Sequence, residues 1–411
     1  MDRKKQERRA TTLDRRSFLR TITAGAAGCL AGVLAFRGRG IAETLPLAAA
    51  RTAAPAAFAN RVVHVHDTAA TSWNFTSGLY YDHVTQAAVD AMMDAGITAL
   101  TGDTAPDTAW RRIMTLYRPG HVVAVKINTN DVNWGSNLIV SVPEVINSVV
   151  RGLKSAGIPE NSIHVFDSTR PGSGPMPQRY LDKTHALYPG VVFIGPDDSG
   201  FFGGYPNQVI SMPGINQTLR LSDELCRAQH LIAMPILKAI RLDWGNSGAL
   251  KLHHGTIDAP QGTHVHLVNS MAATNPVAAI NANTHVRNKL RLVVSDGLFG
   301  MWSGRHFTGR GETTDTPAPW QTFGGRAANS LFLAVDPLAV DCVQLDLINR
   351  ERAARSLPQT RHPILDACAR AGLGIQEHST TLEYSLIDYR PIDRSTDVDP
   401  ASWGELKRRF R

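Results

Sequence analysis

The chain has 411 residues and a formal net charge of +7, from 43 Lys and Arg against 36 Asp and Glu. Residues 1–42 hold ten of the basic and three of the acidic residues, which leaves 33 of each in the remainder. The body is therefore electrically balanced, and a basic nucleic-acid-binding face is excluded.

The first readable element is Asp14-Arg15-Arg16-Ser17-Phe18-Leu19-Arg20, followed by an uncharged, Ala- and Gly-rich stretch from Thr21 to Phe36. A paired arginine before a short, weakly apolar run is the layout of a twin-arginine export signal. The run is shorter than the roughly 20 residues a transmembrane helix needs. The expectation is a signal peptide over 1–42, an Ala-rich lead-in over 43–60 and one α/β domain over 61–411, built as a single core or two lobes. Gly40-Ile41-Ala42 and Ala48-Ala49-Ala50 are both plausible cleavage points. Cys29 sits in a weak lipobox-like context, but apolar residues run on past it, so simple cleavage is expected and no stable membrane anchor. The mature protein is expected in the periplasm or another extracytoplasmic space, with the twin-arginine translocase as its partner during export and a small molecule as its ligand.

Three cysteines remain in the body, Cys226, Cys342 and Cys368, none in C-x-x-C spacing. An iron–sulfur cluster or a four-Cys zinc site within this chain is excluded. One disulfide stays open, with buried free thiols as the alternative.

Arg61–His66 reads as a strand, Asp82–Ala95 as an amphipathic helix and His121–Lys126 as a second strand. Ser141 and Glu144 have the spacing of a capping box for a helix running to Ala156, with Gly157 placed to end it. Strands follow at 162–166, 191–194, 230–234, 290–295 and 331–335, then a helix from Pro337 to Ile348. Strand–helix alternation predicts a largely parallel open sheet flanked by helices. The polar, His-rich stretch 246–288 reads as an active-site loop or a small inserted subdomain.

In such a sheet ligands bind beyond the carboxyl ends of the strands. Lys126 and Asn128 fall at one such end, Asp167, Thr169 and Arg170 at the next, Lys238 just past another, and Asp296, Asp336 and Asp341 at or near two more. Asp and Gly also serve turns and helix caps at these places. The lysines are harder to explain structurally, because each follows an apolar run and needs a charge partner or a ligand there. Lys251, His253, His254, His264 and His266 lie within 16 residues. His-x-His on a strand would put both imidazoles on one face, as a divalent metal requires; loop histidines bonded to backbone are the alternative. His64 and His66 repeat the spacing and read as polar residues on an edge strand. The Gly-rich stretch 296–311, with Arg305 and Arg310, could cradle an anion. The catalytic candidates are thus Lys126, Asp167, Lys238, Lys251 and Asp296. Asn128, Thr169, Arg170, Arg305 and Arg310 are substrate-binding candidates, His253 and His254 acid/base or metal candidates, and His264 and His266 metal candidates. The competing class is a non-catalytic binding or maturation protein that uses the same cleft.

Taken in order, these pieces resemble the family called domain of unknown function 362. The resemblance rests on Val125-Lys126-Ile127-Asn128, Asp167, Lys238, Ala249-Leu250-Lys251, Asp296-Gly297 and Asp336-Pro337-Leu338-Ala339-Val340-Asp341, over about residues 120–350. Ile127 stands where the family commonly has Pro, and Leu252 where it commonly has Asn. The ferredoxin-like cysteines of some members are missing. The resemblance implies the fold and the cleft rather than a reaction. Asp167-Ser168-Thr169-Arg170-Pro171 also resembles the Asp-x-Thr-Arg-Pro stretch of nickel-pincer lactate racemases, which implies racemase- or isomerase-like chemistry as a further alternative.

Overall fold

The computed structural model describes residues 56–130, 137–168, 176–195, 204–205, 208–304 and 316–395. The export and cleavage segments, Thr169, Arg170, Arg305 and Arg310 lie outside the described residues.

The chain runs through β1 (Arg61–His66), α1 (Gln86–Thr101), α2 (Pro106–Ile113), β2 (Val123–Lys126), α3 (Pro143–Ser155), β3 (Ile163–Phe166), α4 (Gln178–His185) and β4 (Val192–Ile194). A hairpin of β5 (Val209–Met212) and β6 (Gln217–Arg220) precedes α5 (Asp223–Arg227), β7 (His230–Ala233), β8 (Ile236–Arg241) and β9 (Gly245–Asn246). Then come α6 (Ala249–Leu252), α7 (Pro276–Ala282), α8 (Thr284–Arg287), β10 (Leu290–Met301), β11 (Ser330–Ala334), α9 (Pro337–Ala354), α10 (Pro363–Arg370) and β12 (Asp388–Asp393).

The main sheet has the order β12-β1-β11-β10-β7-β2-β3-β4, with β8 and β9 attached beside β10. β4, β3, β2, β7 and β10 are mutually parallel; β11 runs against both β10 and β1, and β12 is parallel to β1. The sheet is thus mixed but largely parallel, as the strand–helix alternation predicts. Its central strands are apolar on both faces because helices cover both. Val123, Val125, Ile163 and Val165 pack with α1, α2 and α3; Val293, Phe332 and Ala334 pack with α6, α9 and α10. Among the described residues no helix is long and apolar enough to cross a membrane. Cys226, Cys342 and Cys368 are buried free thiols.

Several boundaries differ from expectation for identifiable reasons. The first helix begins at Gln86, not Asp82, because Tyr80–Asp82 forms a separate 3-10 turn. The capping box at 141–144 does not form. α3 starts at Pro143, whose missing N–H suits a first turn, and Ser141 Oγ instead accepts the Asn128 N–H at 3.0 Å. Glu144 pairs with Lys183. Gly157 does end the helix: at φ +87° its N–H reaches Lys154 O (2.8 Å), and Ile158 N–H reaches Leu153 O (3.2 Å), the bonding of a Schellman motif. Asp296-Gly297 does not end a strand, since β10 continues to Met301 with β11 on one side and β8 on the other. β1 is no edge strand, because β12 lies outside it; His64 is buried, bonded to Tyr389 Oη and Ser330 Oγ.

Within α3, Gly152 lies against the buried Trp110 ring, where an added Cβ would be 2.0 Å from Cε2. Gly152→Ala is expected to destabilise by about 1–3 kcal/mol through overpacking, read as a lower urea midpoint with an unchanged slope.

Candidate active site

Lys126 is the last residue of β2 and pairs in register with Phe166, so Asp167 falls one residue beyond it on the neighbouring strand. Lys126 Nζ donates to Asp167 Oδ1 at 2.8 Å and to Ile127 O at 2.7 Å. The other carboxylate oxygen accepts the Thr129 N–H (2.6 Å) and hydroxyl (2.9 Å). Lys126 is 1% exposed and Asp167 0%. Burial pushes the Lys126 ammonium pKa down, and the adjoining carboxylate opposes that shift. Asn128 Oδ1 accepts the Asn130 N–H at 3.0 Å, closing the turn that follows the strand.

The same strand ends hold the histidine segment in place. Ser168 Oγ donates to Gly255 O at 2.5 Å, tying the end of β3 to the turn His253–Thr256. From the other side, β9 folds back antiparallel on β8, Ser247 N–H donates to Lys238 O at 2.7 Å, and the chain passes through Gly248 into α6. The first N–H groups of α6, those of Ala249 and Leu250, donate to Asp341 Oδ1 (2.6 Å) and Oδ2 (2.9 Å). Asp341 comes from α9, and Gly248 leaves it room: a Cβ there would stand 2.0 Å from Asp341 Oδ1. Burial pushes Asp341 up to about 7, against the pull of those two N–H groups. Asp341 is thus a clamp that fixes α6, and with it Lys251. Asp336 caps α9 itself through the Leu338 and Ala339 N–H groups and also accepts from Ile375.

Lys251 is half-buried. Its ammonium makes no hydrogen bond or ion pair among the described residues, and its pKa is lowered to about 8 by burial and by the charges of Lys238 and Lys126. His253 is 1% exposed, and neither ring nitrogen has a hydrogen-bond partner among the described residues. Burial, then the charge of Lys126, lowers its pKa to about 3, so the ring is neutral at pH 7. His254 is held differently. Thr263 Oγ1 donates to Pro260 O at 2.8 Å, so its lone pair accepts from His254 Nε2–H at 2.6 Å. His254 is kept neutral by burial, Lys251 and His264.

Two sequence expectations are corrected here. His264 and His266 lie in a 3-10 helix, Pro260–His266, not a strand. At three residues per turn, positions i and i+2 diverge. The His264 ring stands edge-on to His254 (centroids 4.8 Å apart) and stacks on Trp244 (5.5 Å), while His266 joins neither ring. The four-histidine site is not assembled, and no group of three or more His, Cys, Asp or Glu among the described residues could hold a metal ion. Asp296, expected to face the lysines, directs its carboxylate to backbone: Oδ2 accepts from Val142 N–H (3.0 Å) and Oδ1 from Leu298 N–H (3.1 Å). Burial pushes it up to about 6.

Of the catalytic candidates, the structure joins Lys126 to Asp167 and sets Lys238 and Lys251 within electrostatic range. The residue whose contribution was not read is Asp341. Its signal was present in the Asp-Pro-x-Ala-x-Asp run, but a carboxylate one turn into a helix carries no mark of what it will clamp.

Comparison with other proteins adds the following. No curated protein matches the chain. A solved protein from Thermotoga maritima shares 13% identity over 52% of this chain, with a TM-score of 0.32; the match spans 50% of that protein's length. The lactate racemase apoprotein from Thermoanaerobacterium thermosaccharolyticum shares 10% identity over 72% of this chain and 80% of its own, with a TM-score of 0.31. Residues 123–346, more than half of the chain and the stretch that carries β2 through most of α9, match the model of the domain of unknown function DUF362, and the chain belongs to that family.

Proposed function

We propose that the chain is an enzyme that binds a small anionic substrate against Lys126, Lys238 and Lys251 and moves a proton with His253. The observation that carries this reading is Lys251, a half-buried ammonium within electrostatic range of Lys238 and Lys126 and without a carboxylate partner among the described residues. Asp167 is already engaged by Lys126 and Thr129. Clustered cations in a low-dielectric setting repel strongly unless an anion joins them. His253 adds a neutral imidazole with both nitrogens uncommitted, and an anion bound at the lysines would raise its basicity by offsetting the charge of Lys126. Metal assistance would draw on His253 as a donor, but among the described residues no group of three His, Cys, Asp or Glu is assembled to hold the ion.

Sulfate is a suitable probe, because its charge does not change between pH 6 and 10. It is expected to raise the unfolding midpoint saturably at pH 7, and the shift should fall as pH passes about 8, where Lys251 loses its proton. Lys251→Met should lose both the shift and its pH dependence. An equal sulfate effect in the two proteins would overturn the anion site.

The address is part of the same proposal: export in the folded state through the twin-arginine route, supported by Arg15-Arg16 and the run that follows. Replacing both arginines by lysine should hold the protein in the cytoplasm. Undiminished export on cell fractionation would remove the claim.

A further inference from the structure

The lysine cluster occupies the carboxyl edge of the parallel strands; a second polar cluster occupies their amino edge. There β10, β7 and β2 lie side by side, and parallel pairing sets Val123 beside His230 and Leu231 beside Leu290. His121, His230 and Arg291 are thereby gathered at the starts of three neighbouring strands, with Arg118 in the turn that leads from α2 into β2. Lys126 lies five residues past His121, roughly 16 Å along the strand at about 3.3 Å per residue.

Three hydrogen bonds settle where the protons are. Arg291 Nε–H can only donate, and it reaches His230 Nδ1 at 3.1 Å. The His230 proton is therefore on Nε2, which donates to His121 Nδ1 at 3.0 Å. The Arg118 backbone N–H also donates to that Nδ1, at 3.3 Å, so the His121 proton is on Nε2. A metal between the rings would need lone pairs on both facing nitrogens, and the one on His230 is protonated. His230 is 2% exposed. Burial, then the charges of Arg291, His121 and Arg118, lowers its pKa to about 3.

What this cluster leaves uncommitted is all donor. His121 Nε2–H, Arg291 Nη2, and Nε and Nη2 of Arg118 make no hydrogen bond or ion pair among the described residues. Arg118 Nη1 donates to Tyr117 O at 2.8 Å and Arg291 Nη1 to Asn288 O at 2.9 Å, which steadies both guanidiniums. The Tyr117 ring lies 6.0 Å from that of His121 and 5.9 Å from that of His230, and its hydroxyl is buried without a partner among the described residues. No carboxylate pairs with any of these groups among the described residues. Two guanidiniums beside one buried ring, with no acid between them, repel until an anion joins them.

We propose that this amino edge is a separate anion site, for a small soluble oxyanion of the phosphate class, held by Arg118, Arg291 and His121 Nε2–H. The donors arrive from three segments, the turn before β2, the start of β2 and the start of β10. A tetrahedral dianion offers an oxygen to each, where a planar carboxylate offers two in all. Guanidinium forks suit such oxygens.

The test is a titration of the full chain with inorganic phosphate at pH 8, followed through the imidazole nitrogen signals of His121 and His230, which His121→Gln and His230→Gln assign. Saturable movement of both signals is expected, with half-saturation below about 1 mM. Arg291→Gln and Arg118→Gln should each weaken binding about tenfold, as loss of a charge-assisted contact does. Lys251→Met should leave the titration unchanged, and acetate should move neither signal. No saturable movement, undiminished binding in both arginine variants, an equal response to acetate, or loss of the response in Lys251→Met would each overturn the proposal. Vesicles of phosphatidic acid in phosphatidylcholine should leave the chain in solution; sedimentation with them that depends on Arg291 would assign the site to a lipid headgroup and overturn the soluble ligand. Near-UV circular dichroism establishes that the variants fold; if Arg291→Gln does not, Arg118→Gln, at an exposed position, decides the matter. A failed sulfate shift at the lysine cluster would leave this result standing.

Discussion

Lys126→Met is expected to lower stability by about 3–5 kcal/mol, the range for removing one partner of a buried ion pair. The reason is the carboxylate left behind. Asp167 is 0% exposed, and the substitution removes the ammonium that compensates its charge while the Thr129 N–H and hydroxyl stay bonded to it. Lys126→Met with Asp167→Asn should regain a large part of the loss, because the neutral amide can still accept from Thr129. Urea unfolding of the two singles and the double gives the coupling energy. A double variant no more stable than Lys126→Met would mean that the pair does not hold the strand ends together. The substitution should also raise the pKa of Lys251 and of His253, since the charge of Lys126 lowers both.

His253→Leu should do the opposite and stabilise the protein. A buried polar group with no partner costs about 1–3 kcal/mol, and both ring nitrogens of His253 are in that position. The gain should grow in acid. His253 titrates at about 3 when folded and near 6.5 when unfolded. Between those values the unfolded chain binds the extra proton, so the wild type loses stability as pH falls below 6.5. The loss from this one group approaches about 1.4 kcal/mol per pH unit, and His253→Leu removes it. Unfolding at pH 7 and pH 5 measures both effects. A variant that is less stable at pH 7 would identify His253 as a packing residue and withdraw it from the proposed proton transfer. A more stable variant that still gives the sulfate shift would confine His253 to a role after binding.

Those two residues were legible in the sequence for different reasons. Lys126 stood out because an ammonium directly after an apolar strand needs a counter-charge, and β2 and β3 deliver Asp167 by parallel register alone. His253 stood out only by the density of histidines around it, a signal that pointed equally to His266. Local backbone geometry separates them: a 3-10 helix splays His264 from His266, while Asp341, 88 positions further along the chain, fixes α6 just before His253. The strand positions were readable because β-branched runs depend little on distant partners. Asp296-Gly297 misled, since its turn propensity is overridden by backbone pairing on both sides, to β11 and to β8. Ser141 misled likewise. Its hydroxyl had a choice between the helix start and the Asn128 N–H, and the tertiary partner prevailed.

The placement of β1 constrains how the chain can acquire its structure. The first strand is bordered by the eleventh and the twelfth, so its neighbours come from residues 330–334 and 388–393. A nascent chain that has emerged only to the end of β10 has a β1 with both hydrogen-bonding edges bare. Pairings that span nearly the whole sequence are slow to form, because the closure entropy of a long loop must be overcome first. The pairing of β1 with β12 can form only once residues 388–393 are present. A chain truncated before Asp388 should show its defect at β1, more than 300 residues away from the missing segment.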